Sequence, residues 1–154
     1  MDFDGVLTDD RVTVSEGGEE SVVCSRSDGM GIELLRKAGL PMTVISKEKN
    51  KVVAARCEKL KVPCSHGIED KLPLMQRWLA DNGIAPEDAI YVGNDINDLP
   101  CMAHVGCAVA PGDAHRSAIE AADIVLTRPG GQGAIRELAD LLLSSGRISE
   151  AGHG

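Results

Sequence analysis

The chain has 154 residues, of which 43% are hydrophobic, 26% are charged and only 2% are aromatic. This composition predicts one soluble globular domain over residues 1–154 with an aliphatic core. It argues against nucleic-acid binding by base stacking, and the formal net charge of −8 argues against a polyanionic partner. No apolar run is long enough to span a membrane. The five cysteines form no CxxC pair, so we expect free thiols in a reducing cytoplasm rather than zinc sites or disulfides.

Taken in chain order, residues 11–26 alternate valines with polar residues around a Gly-Gly turn, which predicts a β-hairpin. An isolated hairpin is marginally stable in water, so we expect it to pack on another surface, such as a second subunit. The predicted helices that follow cover 31–38, 49–61, 71–82, 98–104, 114–122 and 134–145, and the predicted strands cover 41–46, 62–65, 89–92, 107–110 and 124–126. This alternation indicates an α/β fold with a doubly wound, Rossmann-like parallel sheet. The polar tail 146–154 is predicted to be mobile.

The first nine residues, MDFDGVLTD, place two carboxylates two positions apart. In an extended segment such residues point to the same face, so Asp2 and Asp4 would reach into one cavity. A Mg²⁺ ion would relieve their repulsion. One aspartate could then attack a phosphorus atom while the other transfers a proton. A bare DxD followed by glycine is more often a turn, and that alternative stays open on these residues alone.

A catalytic aspartate at a strand end needs an apolar strand before it, and here only Met1 precedes Asp2. Either the numbered sequence begins late, which we favour, or the first strand has been lost.

Other predicted strands are also followed by polar residues. Ser46 follows one strand, Lys71 begins the helix after another, and Asp95 lies in the segment 93–98 after a third. Ligands in such sheets bind at the carboxyl ends of the strands, where these groups would suit a phosphate and a metal ion. Taken singly, each has an ordinary explanation as a helix N-cap, a solvated charge or a turn. Their occurrence in this order, each at a strand end, favours a phosphate site.

With these four segments, the sequence resembles the haloacid dehalogenase-like phosphatase superfamily over nearly its full length. DFDGVLTD is similar to its first motif, VIS to its second, Lys71 to its third and GNDINDLPCM to its fourth. The resemblance implies a Mg²⁺-dependent phosphatase with an aspartyl-phosphate intermediate. It implies Asp2 as the nucleophile, Asp4 as the general acid and base whose carbonyl also touches the metal, Ser46 and Lys71 as phosphoryl-binding groups, Asp95 as a metal ligand with Asp2, and Asn94 and Asp98 as outer-shell groups.

Only the hairpin and one helix separate the first two motifs, so no cap domain is expected. DGVLTD, SDGMGIELL, CEKLKV and PGGQGAIRELADLLL resemble the capless 3-deoxy-manno-octulosonate 8-phosphate phosphatase group, which includes phosphatases for nine-carbon, sialic-type sugar acids. The resemblance implies a small anionic sugar-phosphate substrate. It also implies a homotetramer assembled by the hairpins, in which a neighbouring chain closes each active site.

The segment after the second motif bears on the choice of substrate. Octulosonate enzymes typically read TGRK there, whereas this chain reads SKEK over 46–49. Glu48, together with Arg56 and Lys59, resembles the nononate 9-phosphate members: a cation would pair with the sugar carboxylate and Glu48 would accept hydrogen bonds from hydroxyl groups. The resemblance also implies that Asp28 lines the site. The same charges equally fit the solvated face of an ordinary helix, and that alternative stays open.

Two other functions stay open at this point. A phospho-acceptor signalling domain is also doubly wound with an Asp/Mg²⁺ site, but a stable phospho-switch should lack the acid/base group at Asp4. The other is a non-catalytic oligomerisation domain associated with an acylneuraminate cytidylyltransferase. The Gly-rich loop 130–133 would suit an anion at a helix N-terminus, although a plain turn is favoured.

Overall fold

The structure is a computed structural model in which residues 1–146 are described. The helices are α1 (Arg26–Lys37), α2 (Val52–Leu60), α3 (Lys71–Asp81), α4 (Leu99–Met102), α5 (Arg116–Ala121) and α6 (Ala134–Ser144). The strands are β1 (Thr13–Val14), β2 (Glu20–Ser21), β3 (Val44–Ile45), β4 (Cys64–Ser65), β5 (Ile90–Val92), β6 (Cys107–Ala110) and β7 (Ile124–Val125). Short 3₁₀ turns cover Pro86–Asp88 and Ile96–Asp98. Apart from Gly146, the predicted tail 146–154 lies outside the described residues.

The parallel strands form one layer, and residues 1–2 lie in its middle, between β3 and β5. β3 pairs with β4, and β6 lies between β5 and β7, all in parallel. The backbone of Met1 hydrogen-bonds to Thr43 and Ile45 at 3.1 and 3.0 Å, and the Asp2 N–H donates to the Val92 carbonyl at 2.9 Å. The spatial order is therefore β4-β3-(1–2)-β5-β6-β7. The predicted doubly wound α/β fold is confirmed, and Asp2 lies at the carboxyl edge of the layer.

Successive strand residues point to opposite faces of the layer and build two cores. Val44 and Val92 pack on one face with residues of α1, α2 and α6. Ile45 and Tyr91 pack on the other face with residues of α3, α4 and α5. Helices therefore cover both faces, as a parallel sheet requires.

The largest difference from the predicted helix boundaries concerns α1, which was expected over 31–38 and begins instead at Arg26. The Ser25 hydroxyl accepts a hydrogen bond from the Ser27 N–H at 3.0 Å, and this N-cap starts the helix earlier. Glycine in a helix normally weakens the helical pattern, but Gly31 is needed for packing. A Cβ there would come within 2.8 Å of the Arg136 Cα in α6.

The predicted hairpin is present. β1 and β2 pair antiparallel, with Val14 opposite Glu20, and a bridge between Thr8 and Cys24 continues the pairing towards the sheet. Only this hairpin and α1 lie between Asp4 and β3, so no cap domain is inserted there. Within residues 1–146, every helix is too short or too polar to cross a membrane.

Candidate active site

A cavity of about 500 Å³ opens at the carboxyl edge of the parallel layer. Its wall includes a residue set drawn from three of the four predicted strand ends: Asp2, Asp4, Ser46, Glu48, Asn94 and Asp95. Lys71, from the fourth, is buried and reaches Asp2 by an ion pair. The structure thus brings together the residues that the four motifs contribute.

Asp2 is held through one of its two carboxylate oxygens. Oδ1 accepts a hydrogen bond from the Phe3 N–H at 2.7 Å and lies 2.8 Å from the Lys71 Nζ. Burial raises the pKa of Asp2 to about 7; Asp98 adds to this rise, and Lys71 opposes it. A cation bound beside Asp2 would therefore favour the carboxylate form that a nucleophile needs.

Lys71 lies between two buried carboxylates. Its Nζ is 2.8 Å from Asp2 Oδ1 and 2.8 Å from Asp98 Oδ1. Burial alone would lower the pKa of Lys71, but the charges of Asp2 and Asp98 raise it above its ordinary value. The ammonium group is therefore kept protonated and fixed in position beside the predicted nucleophile.

Tyr91 belongs to this network, although it was not among the site residues predicted from the sequence. Its hydroxyl donates to Asp98 Oδ1 at 2.8 Å, while Asp98 Oδ2 accepts the backbone N–H of Asn94 at 2.9 Å. Asp98 therefore contacts Lys71 and is not among the residues that line the cavity. A tyrosine in an apolar strand just before the fourth motif was a usable signal, because a buried phenol needs a hydrogen-bond partner.

Asp4 lies in the tight loop that follows Asp2. The Thr8 hydroxyl donates to Asp4 Oδ1 at 3.3 Å and accepts the backbone N–H of Gly5 at 3.1 Å. Burial raises the pKa of Asp4, the hydrogen bond from Thr8 lowers it, and the nearby Glu48 charge raises it, with a net upward shift. A carboxyl group that holds its proton more tightly than usual suits a general acid.

Ser46 and Glu48 form the opposite wall. Ser46 is buried at the end of β3, and its hydroxyl accepts the Glu48 N–H at 3.1 Å. Glu48 Oε1 in turn accepts the backbone N–H groups of Lys49 and Asn50 at 2.7 and 3.1 Å. Ser46 therefore both shapes the loop and presents a hydroxyl to the cavity.

Comparison with known proteins places this site in a family. Residues 65–137 match the haloacid dehalogenase-like hydrolases. The 3-deoxy-D-manno-octulosonate 8-phosphate phosphatase of Escherichia coli K12 is 39% identical over 153 residues, which are 98% of this chain and 81% of the relative. The chain belongs to the haloacid dehalogenase-like phosphatases. The resemblance inferred from the four motifs, and with it the class of phosphoric monoester hydrolase, is confirmed.

Solved structures of this phosphatase family agree with the fold. A family hydrolase from Streptomyces avermitilis is 52% identical, with a TM-score of 0.91 over 94% of this chain and 89% of that one. The 3-deoxy-D-manno-octulosonate 8-phosphate phosphatase of Moraxella catarrhalis is 27% identical, with a TM-score of 0.90 over 94% of this chain and 84% of that one. The Moraxella structure contains a magnesium ion, a phosphate ion and a KDO molecule.

Asp28 is not among the residues that line this phosphatase cavity. It is 1% exposed, and its carboxylate accepts the backbone N–H groups of Gly133, Ile135 and Arg136 at 3.1, 2.9 and 3.2 Å. Asp28 thereby caps the N-terminus of α6 from α1. In the Gly-rich loop before α6, the Gly131 N–H donates to the Val6 carbonyl at 2.9 Å, which fixes this loop against the segment that follows Asp4.

Arg56 and Lys59 lie apart from the carboxylates. They line a second cavity of about 410 Å³ between α1 and α2, together with Arg26, Arg36 and Lys61. Arg56 Nη2 donates to the Ser25 carbonyl at 3.1 Å, which ties α2 to the start of α1. Within one chain, the structure does not bring these two predicted substrate groups to the phosphate site.

The family implies a magnesium ion, and the oxygen groups around Asp2 fit one. The carboxylates of Asp2, Asp4 and Asp95 line one cavity, and hard cations prefer such ligands. Within residues 1–146, however, no three carboxylate, imidazole or thiol groups come together as a metal site. A magnesium ion here would also need neutral oxygen ligands, such as the Asp4 carbonyl predicted for this role.

Proposed function

We propose that this chain is a Mg²⁺-dependent phosphatase that hydrolyses a sugar-acid phosphate monoester through an aspartyl-phosphate on Asp2. The observation that carries the proposal is the ion pair of 2.8 Å between Asp2 and Lys71 at the cavity lined by Asp4 and Ser46. This arrangement brings together a nucleophile, Asp2, a proton donor, Asp4, and two groups that can bind phosphoryl oxygens, Lys71 and Ser46. Phosphoryl transfer depends almost entirely on such positioning and charge neutralisation.

In the first step, the Asp2 carboxylate attacks phosphorus, and the bond from phosphorus to the sugar oxygen breaks. Asp4 donates its proton to that leaving oxygen. In the second step, Asp4 takes a proton from a water molecule that attacks the same phosphorus, so inorganic phosphate leaves and Asp2 is restored. Lys71 and Ser46 hold the phosphoryl oxygens throughout. When bound to Asp2, the Asp4 carbonyl and Asp95, a magnesium ion supplies positive charge against the carboxylates and the phosphate.

The proposed substrates are 2-keto-3-deoxy-nononate 9-phosphate, an N-acylneuraminate 9-phosphate and 3-deoxy-manno-octulosonate 8-phosphate. The octulosonate ester is named for the Escherichia and Moraxella relatives. Support for a nine-carbon substrate comes from Glu48, which lines the cavity and whose Oε1 accepts backbone N–H groups of its own loop. The Asn50 amide also donates to Glu20 Oε2 at 2.9 Å, so the hairpin and this loop form one continuous outer wall.

The hairpin supports the proposal of a homotetramer with shared active sites. Val12, Val14 and Val23 are 54%, 58% and 64% exposed in the single chain, and such a patch marks a protein interface. Arg56 and Lys59 line a cavity separate from their own phosphate site. They would therefore act on the sugar carboxylate only across such an interface, at the site of a neighbouring chain.

A cytoplasmic location is part of the proposal, since all five cysteines are free thiols.

The test is a phosphatase screen on the purified chain with release of inorganic phosphate as the readout. Eight- and nine-carbon keto-acid phosphates and a generic aryl phosphate would be compared with and without Mg²⁺. Asp2→Asn should abolish turnover, whereas Asp81→Asn, an exposed control on α3, should not change it. A long-lived phosphoprotein with slow release would favour a phospho-acceptor domain. No hydrolysis of any ester would favour a non-catalytic oligomerisation domain.

A further inference from the structure

Thr8 has a buried hydroxyl group whose contacts reach the predicted general acid, Asp4. The residue is 0% exposed, and a buried hydroxyl group needs hydrogen-bond partners. The N–H groups of Gly5 and Asp10 donate to Thr8 Oγ1 at 3.1 and 3.2 Å. The same oxygen lies 3.3 Å from Asp4 Oδ1. The hydroxyl group therefore connects the backbone of this loop to the Asp4 carboxyl group.

These three contacts fix the direction of the Thr8 hydroxyl hydrogen. A hydroxyl group has one hydrogen and two acceptor positions. The two backbone N–H groups can only donate, so they fill both acceptor positions and leave the single hydrogen for Asp4 Oδ1. In a neutral carboxyl group, the carbonyl oxygen is a better acceptor than the oxygen that carries the hydrogen. When Asp4 is protonated, its proton therefore belongs on Oδ2, the oxygen to which Thr8 does not donate.

Contacts from distant parts of the chain hold Thr8 in this position. Its backbone forms an antiparallel bridge with Cys24, after the hairpin. Gly131 packs so closely that an added Cβ would overlap the Thr8 carbonyl carbon. Asp10 adopts a left-handed conformation with a φ of 62°, which is uncommon for a residue other than glycine. The tertiary fold therefore places the hydroxyl group, in addition to the local turn.

We propose that Thr8 is a positioning residue that keeps the transferable proton of Asp4 on Oδ2. The inference rests on the proposed function, in which Asp4 is the general acid and base. In the first step, the Oδ2–H bond breaks, and the proton passes to the leaving oxygen, which takes the electron pair of its broken bond to phosphorus. In the second step, the same Oδ2 receives a proton from the attacking water. Oδ1 keeps the hydrogen bond from Thr8 through both steps, so the carboxyl group does not have to rotate.

The experiment compares two phosphate esters whose leaving groups differ in their need for a proton. Nitrophenolate leaves nitrophenyl phosphate as a stable anion, whereas the alkoxide of 3-deoxy-manno-octulosonate 8-phosphate must be protonated as it leaves. The rate of the first step is measured by rapid quench, with the full chain and Mg²⁺ in excess over the ester. Thr8→Val removes the hydroxyl group at similar volume. It should slow the alkyl ester by about 10-fold or more, a part of the roughly 10²–10⁴-fold contribution of a general acid, and the aryl ester by less than about 3-fold.

Two further variants complete this comparison. Thr8→Ser keeps the hydroxyl group, so both rates should stay within about 3-fold of the parent chain. Thr127→Val is the matched control, because the Thr127 hydroxyl also donates to a carboxylate, Glu137 Oε1, at 3.1 Å. Thr127 is not among the residues that line the cavity, so Thr127→Val should leave both rates unchanged.

Equal slowing of both esters in Thr8→Val would show a purely structural role and overturn the inference, as would unchanged rates or a failure of Thr8→Ser to keep the parent rates. A second measurement serves if Thr8→Val does not fold, judged by circular dichroism. In Asp4→Asn, the amide oxygen should face Thr8 and the NH₂ group should face the cavity, because the Thr8 hydroxyl can only donate there. Nuclear Overhauser effects from the NH₂ hydrogens measure this orientation, and the opposite orientation would refute the inference.

The amide orientation does not depend on turnover, so the two proposals fail separately. A parent chain that hydrolyses neither ester would refute the proposed function, whatever the orientation in Asp4→Asn. A parent chain that hydrolyses both esters, with an NH₂ group facing Thr8 in Asp4→Asn, would refute only the role of Thr8.

Discussion

The Nζ of Lys71 lies 2.8 Å from Oδ1 of Asp98, and the same oxygen accepts the hydroxyl hydrogen of Tyr91 at 2.8 Å. The second oxygen of Asp98 holds the backbone of Asn94 at 2.9 Å. The buried Asp98 carboxylate therefore fixes both the Lys71 ammonium group beside Asp2 and the turn that the fourth motif forms. The phosphate site depends on a residue that does not itself line the cavity.

Removal of the charge at Asp98 should therefore reduce turnover without removing any group that contacts substrate. Asp98→Asn is expected to lower kcat by roughly 10- to 100-fold, the range for groups that orient ligands of a site. Tyr91→Phe removes only one hydrogen bond of about 1 kcal/mol and should lower kcat by roughly 5-fold. Steady-state kinetics on an aryl phosphate measures both. Equal kcat in Asp98→Asn and the parent chain would contradict the role assigned to this carboxylate.

The sequence predicts the convergence because Ser46 and the segment 93–98 directly follow β3 and β5, and parallel strands end at one edge of the sheet. Lys71 comes later, at the start of α3 after the loop that follows β4. In the structure Asp2, Ser46 and Lys71 lie at that edge, and their catalytic roles stay predictions. Tyr91 was missed because it reads as an ordinary β residue. Its position in an apolar strand indicates that the hydroxyl needs a partner, but only the fold identifies that partner as Asp98, which lies in the next turn.

The substrate residues were harder to place for a different reason. Asp28 is polar and lies near the start of a helix, which fits a ligand group or a cap equally well. The structure shows that Asp28 is a cap: Gly31 allows α6 to pack closely on α1, and this brings the first N–H groups of α6 to the Asp28 carboxylate. For Arg56 and Lys59, the position in the sequence does not show which face of α2 turns towards the phosphate site. In the structure both residues line a separate cavity.

Mg²⁺ affinity should fall as the pH is lowered below neutrality. Burial and Asp98 raise the pKa of Asp2 to about 7 when no cation is bound. Below that pH, Asp2 is protonated in the metal-free chain, so the incoming cation must displace a proton. The apparent affinity should then fall by about 10-fold per pH unit, and binding should release protons. Calorimetric titrations with Mg²⁺ at pH 6 and 8 measure this directly. An affinity independent of pH would show that Asp2 is already ionised.

Asp28 should matter for stability because it caps α6 from a buried position. Asp28→Ala leaves three backbone N–H groups without their acceptor. It is expected to lower the free energy of unfolding by about 2 to 3 kcal/mol. Asp140→Ala is the matched control on the same helix, since Asp140 makes only an exposed ion pair with Arg136, and it should cost less than about 0.5 kcal/mol. Urea unfolding followed by circular dichroism compares the two. Similar losses in both variants would contradict the capping role.

The exposed valines of the hairpin should control assembly. Val14 is 58% exposed on β1, and its replacement by lysine places a charge in the proposed interface, where burial without a partner is costly. Val14→Lys is therefore expected to convert the proposed tetramer to smaller species in sedimentation velocity. Leu141→Lys serves as the control, because Leu141 is a comparably exposed apolar residue at 48% on α6, outside the hairpin. If the sites are shared between chains, Val14→Lys should also raise KM for a sugar-acid phosphate while kcat on a small aryl phosphate changes little. An unchanged tetramer in Val14→Lys, or dissociation in Leu141→Lys alone, would move the interface away from the hairpin.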